Sequence, residues 1–397
     1  MDSKRIITCV REGVLADALL EDGRLAELSL IPKNQSSILG DIYIGKVRNI
    51  VKNIQAAFVE IEHGLLCYLP LEEVKNPIYT RPKKQERLAE GDELLVQVSR
   101  EAVKTKAPSV TTNLNLTGKY LVLTTGNRTI GCSSRLKPEE KARLKELLEK
   151  WELPPAGLIV RTNAGRAGQE ELRKEYDRLW GDYRYLTEKA VHRTVFSCVR
   201  KSRPPYLTSI LGSRSENLRE ILTDDSELFG QIRDFLTEEM PEDAGKLHLY
   251  EDRSLSLKAL YRLEKGLQDA LNTKVWMKSG AYLVIEPTEA LTVIDVNTGK
   301  YTGGRDKQKT IRKINLEAAG EIARQLRLRN LSGIILVDFV DLAGKEDQEE
   351  LLLHMRELLK KDPLKAAAVD MTELGLMEIT RKKQKKTLLE QAKECRI

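Results

Sequence analysis

The sequence predicts an α/β and β multidomain protein on three observations. Its 397 residues are too many for one small core and favour several units of ordinary domain size. Residues 40–71 carry short strands at even spacing with glycine or polar breaks, the pattern of a small barrel. Residues 291–340 read as strand, glycine-rich turn, helix and strand, the pattern of a parallel crossover unit.

Composition narrows the class. Hydrophobic residues make up 41% and charged residues 32%, which builds packed cores under a solvated surface rather than a disordered chain. The opening MDSKRIITCVREGVL lacks an uninterrupted apolar stretch. No later run approaches the roughly 20 apolar residues of a membrane span, so a cytoplasmic location is expected. Cys9, Cys67, Cys132, Cys198 and Cys395 are odd in number and scattered, which favours reduced thiols over a disulfide framework, the first four as buried small apolar groups. With 66 Lys+Arg against 60 Asp+Glu, the net charge of +6 suits a polyanionic partner without requiring one.

The elements follow in order. Residues 4–31 alternate as strands around a Glu21-Asp22-Gly23 turn, a hairpin signal. GDIYIGKVRNIVKNIQAAFVEIEHGLLCYLPL, with GDELLVQVSRE after a basic connection, suits an OB-type barrel. Residues 118–206 begin with the strand GKYLVLTT, then a helix opened by Pro138 and Glu139, where proline fits the first helical position and acids favour the dipole. GLIVRTNAG is a strand running into a polar loop, and QEELRKEYDRLWGDYRYLTEKAV is a long charged helix. Between 207 and 275 the clearer helical patterns are Ser213–Leu222 and Ser256–Leu271. Ile311, Ile314, Ala318, Ile322 and Leu326 give a helix from about Thr310 to Arg329 one apolar face. RKKQKKT forms a short basic run near the end, and no internal repeat appears.

Asp295 and Asp338 stand late in the two apolar strands that this helix joins. Strands joined by a crossover helix are normally parallel, so their C-terminal ends point the same way; if the strands are neighbours or nearly so, both carboxylates converge on one edge of the sheet. Period-two geometry puts Asn297 on the side of Asp295. Two carboxylates brought together repel, and a hard divalent cation relieves them; magnesium accepts one or two carboxylates and completes its shell with water and phosphate oxygens. The bland reading is that each aspartate caps a loop at its strand end. Asp341 is a spare carboxylate of solvated or turn type. His63, His192, His248 and His354 have no nuclease-like spacing, which disfavours metal-independent histidine chemistry.

These residues resemble the ribonuclease E/G family. TVIDVNTGKYTGG and GIILVDFVD are similar to its two catalytic segments, in the same order. GDIYIGKV with AAFVEI and YLPL, the LIVRT segment and LGLMEITR extend the likeness over nearly the whole chain. The resemblance implies an RNase H-like subdomain in two parts, 1–35 and 207–270. Between them it implies an S1-like OB barrel over 36–117 and a 5′-sensor region over 118–206, with a DNase I-like catalytic subdomain over 271–394. It also implies a magnesium-dependent endoribonuclease. Such an enzyme cuts single-stranded RNA to 5′-phosphate and 3′-hydroxyl ends, is stimulated by a 5′-monophosphate, and serves rRNA processing and mRNA decay. Asp295 and Asp338 match the residues that hold Mg2+, and Asn297 matches the catalytic asparagine beside them.

By the same resemblance, Phe58 and Tyr68 match rings that clamp RNA, and Lys106 matches a basic residue of that surface. Stacking tolerates any base, while lysine adds salt-dependent phosphate contact. Taken alone, Phe58 inside AAFVEI reads as core. Arg161 and Thr162 match the pair that grips a 5′-monophosphate, and Arg135 a further cation of that pocket; a guanidinium fork and a hydroxyl suit phosphate oxygens. Lys365 stands where the family often has arginine. Family members generally continue into a C-P-x-C zinc link and a small oligomerisation domain, whereas this sequence ends Cys395-Arg396-Ile397. Tetrahedral zinc needs four ligands, so no zinc link is expected in this chain, and a homo-oligomer would lack the usual dimerising elements. The readings held against a ribonuclease are a non-catalytic S1-like RNA-binding protein and a metal nuclease acting on DNA.

Overall fold

The computed structural model describes residues 2–33, 37–83, 87–102, 107–151, 155–213, 217–299 and 307–397. Strands β1 (Ser3–Arg11), β2 (Val14–Glu21) and β3 (Arg24–Pro32) open the chain and pair antiparallel in sequence order. At the expected turn, Asp22 and Gly23 both have positive φ, 46° and 77°, the combination that two-residue hairpin loops favour.

The chain forms two compact units: Gln35–Ser215 with Arg233–Ala244, and Met1–Asn34 with Glu216–Ile232 and Gly245–Ile397. In the first, the barrel strands are β4 (Ile42–Val51), β5 (Ala56–Glu60), β6 (Leu66–Pro70), β7 (Glu93–Arg100) and β8 (Ser109–Thr111). β4 pairs with β5 and β7, β6 with β5 and β8, and β8 with β7, so the five strands close into a barrel. Tyr43, Val47, Ala57, Val59, Cys67, Leu69, Leu94 and Val96 alternate inward to fill it. Cys67 is the buried cysteine; Cys9, Cys132 and Cys198 are half-buried, against expectation. Each of those three lies near a strand end or on an edge strand, where burial is incomplete.

Beyond the barrel, β9 (Asn115–Thr117), β10 (Leu121–Thr124), β11 (Ile130–Cys132) and β12 (Gly157–Val160) form a second sheet ordered β11-β12-β10-β9. α1 (Pro138–Glu149) starts on Pro138 with Glu139 and Glu140 in its first turn, as its sequence predicts. Its Leu144 and Leu148, with Leu172, Tyr176 and Leu179 of α2 (Gln169–Arg184), pack on Leu121, Leu123, Leu158 and Val160. β13 (Cys198–Arg200) and α3 (Pro205–Gly212) complete this stretch.

Among the described residues of the stretch expected as a helix, Ser213–Leu222, none is helical. Leu218–Thr223 is strand β14, parallel to β1 and flanked on its other side by β15 (Leu247–Leu249), after α4 (Ser226–Glu239). Short apolar runs of this kind fit a buried central strand as well as a helix, and pairing decides between them. The expected helix over Ser256–Leu271 is two, α5 (Leu257–Leu260) and α6 (Leu263–Leu271), broken at Arg262 in the left-handed region at φ 50°.

The last sheet contains β16 (Lys274–Trp276), β17 (Tyr282–Pro287), β18 (Leu291–Asn297), β19 (Gly333–Asp338), β20 (Ala366–Met371) and β21 (Leu376–Arg381), ordered β16-β17-β18-β19-β21-β20. α7 (Lys307–Leu328) links β18 to β19 and buries Ile311, Ile314, Ala318, Ile322 and Leu326, the face that its periodicity marks. With α8 (Lys345–Leu359) it covers one side of the sheet through Leu283, Ile285, Ile294, Val296, Ile335 and Val337. α7 also reaches the first hairpin, where Arg327 grips Glu21 at 2.7 Å and Glu27 at 2.8 Å. α9 (Leu388–Glu394) closes the chain behind a Thr387 cap. Among the described residues no helix is long and apolar enough to cross a membrane.

Candidate active site and nucleic-acid interface

β18 and β19 are adjacent and parallel, and Asp295 is the direct register partner of Asp338. The crossover geometry therefore brings the two carboxylates side by side at the C-terminal rim. Asn297 belongs to the same face and donates from Nδ2 to Oδ2 of Asp295 at 2.5 Å. Partial burial, then the negative charges of Asp295 and Asp341, hold the Asp338 carboxyl above its ordinary value. Asp341 is thus an electrostatic neighbour of the pair rather than a bystander. Among the described residues no cluster of three or more His, Cys, Asp or Glu side chains is arranged to hold a metal. The arrangement offers hard oxygen donors from two side chains, leaving the rest of a cation's shell to water or substrate.

On the barrel, Phe58 and Tyr68 are cross-strand partners of β5 and β6, with ring centroids 6.2 Å apart in an edge-on arrangement at 73°. Ala57, Val59, Cys67 and Leu69 point inward, so alternation turns both rings to the outer face, where they are half-buried. This corrects the reading of Phe58 as core. Lys106 lies outside the described residues.

The second sheet repeats the logic of the acidic rim with cations. β11 and β12 are parallel, Cys132 opposite Val160, so the loops that follow leave by the same edge. They carry Arg135 and the Arg161-Thr162 pair. The hydroxyls of Ser133 and Thr162 lie 3.1 Å apart, and the Arg135 amide donates to Ser133 Oγ at 3.4 Å. Arg161 is anchored: its Nη1 donates to the Gly118 carbonyl at 2.5 Å and its amide to the Tyr120 carbonyl at 2.7 Å. Burial lowers the Arg161 guanidinium from its ordinary value, partly offset by the charge of Glu175. Glu175 accepts from the amides of Lys119, Tyr120 and Leu121. A Cβ on Gly118 would stand 2.4 Å from its carboxyl, so a larger residue there would have to displace Glu175 from the three amides.

Sequence reasoning missed Ser133, Gly118 and Glu175. The serine stands in the CSSR run that ends on Arg135, a signal visible in the sequence; the contact of Gly118 with Glu175 spans two distant segments and had none. Lys365 lines an open groove with Gly333, Ala367, Thr380, Arg381 and Lys382.

The barrel and its outward rings define a protein carrying an S1-type module: residues 38–113 match the S1 RNA binding domain. Residues 115–384 match the Ribonuclease E/G family. Ribonuclease G of Haemophilus influenzae is 34% identical over 404 residues, 98% of this chain and 81% of that protein. Ribonuclease G of Escherichia coli K12 is 32% identical over 393 residues, 94% of this chain and 78% of its own length. Ribonuclease E of Synechocystis is 34% identical over 370 residues, 91% of this chain but 54% of its own length. The chain belongs to the ribonuclease E/G family.

Proposed function

We propose that this member of an endoribonuclease family is a magnesium-dependent enzyme that hydrolyses single-stranded RNA to 5′-phosphate and 3′-hydroxyl ends, with Asp295 and Asp338 holding the ion. The observation that carries the reading is the register of those two aspartates on adjacent parallel strands. The raised Asp338 carboxyl supports it, because two carboxylates at one rim need positive charge between them to stay ionised. Their oxygens fit magnesium, which takes few protein ligands and keeps water. When bound, magnesium supplies Lewis-acid polarisation of the scissile phosphate. Asn297 holds one oxygen of Asp295, so that carboxylate is oriented before substrate arrives.

Elsewhere, Phe58 and Tyr68 stack bases without regard to sequence. Arg135, Arg161 and Thr162 favour a 5′-monophosphate: the phosphate meets cations and a hydroxyl at one sheet edge, and a bulkier triphosphate should fit poorly. Lys106 adds a phosphate contact.

The test is cleavage of an end-labelled single-stranded oligoribonucleotide with magnesium, with EDTA, and by Asp295→Asn and Asp338→Asn. We expect EDTA-sensitive cutting that each substitution lowers at least about a hundredfold, the upper range for losses at a metal site's supporting shell. Cleavage that survives either substitution defeats the assignment. RNA binding that ignores both magnesium and Asp338→Asn, without cleavage, marks a non-catalytic S1-type binder, and preference for a matched DNA strand marks a DNA nuclease.

A further inference from the structure

The face of the last sheet that α7 and α8 leave uncovered carries more than the acidic pair. Trp276 is the register partner of Tyr282, and Tyr282 of Asn297. These three side chains therefore form one row across β16, β17 and β18. The adjoining row runs Lys274, Val284, Asp295 and Asp338 by the same pairings. Burial alternates to match: Val275, Leu283 and Val296 are buried on the helix side, whereas Trp276 is 63% exposed.

Trp276 and Tyr282 have ring centroids 5.1 Å apart. Lys274 Nζ lies 3.6 Å from the Tyr282 centroid and 4.3 Å from that of Trp276. Behind them, Gly299 has φ +60°, and a Cβ there would stand 2.5 Å from the Gly280 carbonyl oxygen and 3.6 Å from the Tyr282 ring. Gly299 therefore lies close against the β16–β17 hairpin beside Tyr282.

A large aromatic left in water costs solvation unless something covers it. Here the available chemistry is a ring plane beside an ammonium, the combination that stacks a nucleobase and meets its phosphate. At about 4.8 Å per strand, β16 lies roughly 10 Å from β18, within reach of a nucleotide flanking a phosphodiester at the acidic rim. We propose that Trp276, Tyr282 and Lys274 form a base-stacking subsite for the single-stranded RNA whose backbone lies at Asp295 and Asp338. It rests on the ribonuclease reading above. Because stacking uses the base face, the subsite holds the strand without selecting its sequence.

Two measurements on the full chain test it. Steady-state cleavage of a labelled single-stranded oligoribonucleotide should show KM for Trp276→Ala raised roughly tenfold with kcat nearly unchanged, Trp276→Phe restoring most of the loss. In the second, tryptophan emission is followed as an oligoribonucleotide is titrated without magnesium. Quenching in the native protein should largely disappear in Trp276→Phe, which leaves Trp151 and Trp180 in place. If the native protein cleaves nothing, the ribonuclease reading fails and the quench decides the subsite by itself. An unchanged KM or a quench that survives Trp276→Phe overturns the proposal.

Discussion

The side-chain amide of Asn297 donates to Oδ2 of Asp295 at 2.5 Å, along a strand whose next neighbour brings Asp338 into direct register. Asn297 thereby acts on the rim through a carboxylate. Asn297→Ala should lower kcat by about 10–100-fold and raise the magnesium concentration for half-maximal cleavage, as for other groups that orient a metal-binding side chain. A magnesium titration of cleavage rates reads both; an unchanged magnesium requirement would assign Asn297 to substrate alone.

The Phe58–Tyr68 pair faces outward, so its loss should affect binding more than folding. Phe58→Ala or Tyr68→Ala should weaken RNA binding by about 1–3 kcal/mol, and Tyr68→Phe should retain most of it. Leu69→Ala, one residue along but inside the barrel, should instead lower stability by about 2–5 kcal/mol. Filter binding and thermal melting of the three alanine variants separate the two faces.

Arg161→Ala should abolish the preference for 5′-monophosphorylated over 5′-hydroxylated RNA while internal cleavage persists. Because Arg161 also satisfies the Gly118 carbonyl, the substitution should cost on the order of 1 kcal/mol of stability. Paired rates on the two 5′ ends check the first outcome and denaturant melts the second. A preference that survives places the phosphate pocket elsewhere.

Glu27 is buried enough that desolvation alone would raise its carboxyl, but the charges of Arg327 and Arg5 outweigh this and hold it below its ordinary value. A carboxyl depressed in the folded state stabilises fully above its unfolded value of about 4.3, and that contribution is lost as pH falls through the folded value. Glu27→Gln should therefore be less stable than the native protein near neutral pH and converge with it in acid. Denaturant unfolding across that range measures the two curves; parallel curves would remove Glu27 from the acid response.

Burial pushes the Cys67 thiol up to about 12. At mildly alkaline pH it should stay unmodified by a thiol reagent that reaches the half-buried cysteines, and react once the barrel is unfolded. Mass mapping of the labelled sites before and after denaturation tests this.

The sequence by itself determines the local grammar of this protein. Aspartates late in two apolar strands, with Ile311 to Leu326 spaced as one helical face between them, already point the two strand ends the same way, so that neighbouring strands would bring both carboxylates to one rim. Strand and helix periods are steric properties of a single stretch of chain. The Asp22-Gly23 turn and the Pro138 helix start are legible for the same reason.

Only tertiary structure decided what stands opposite what. It set Asp295 against Asp338, turned Phe58 outward, made Leu218–Thr223 a strand beside β1, bound Arg161 to the Gly118 carbonyl, and lined up Trp276 and Tyr282 with Asn297. Register joins segments far apart in the chain and follows from burying both partners' apolar faces at once. A shift of one residue would reverse every side chain, and no local window of sequence contains that choice.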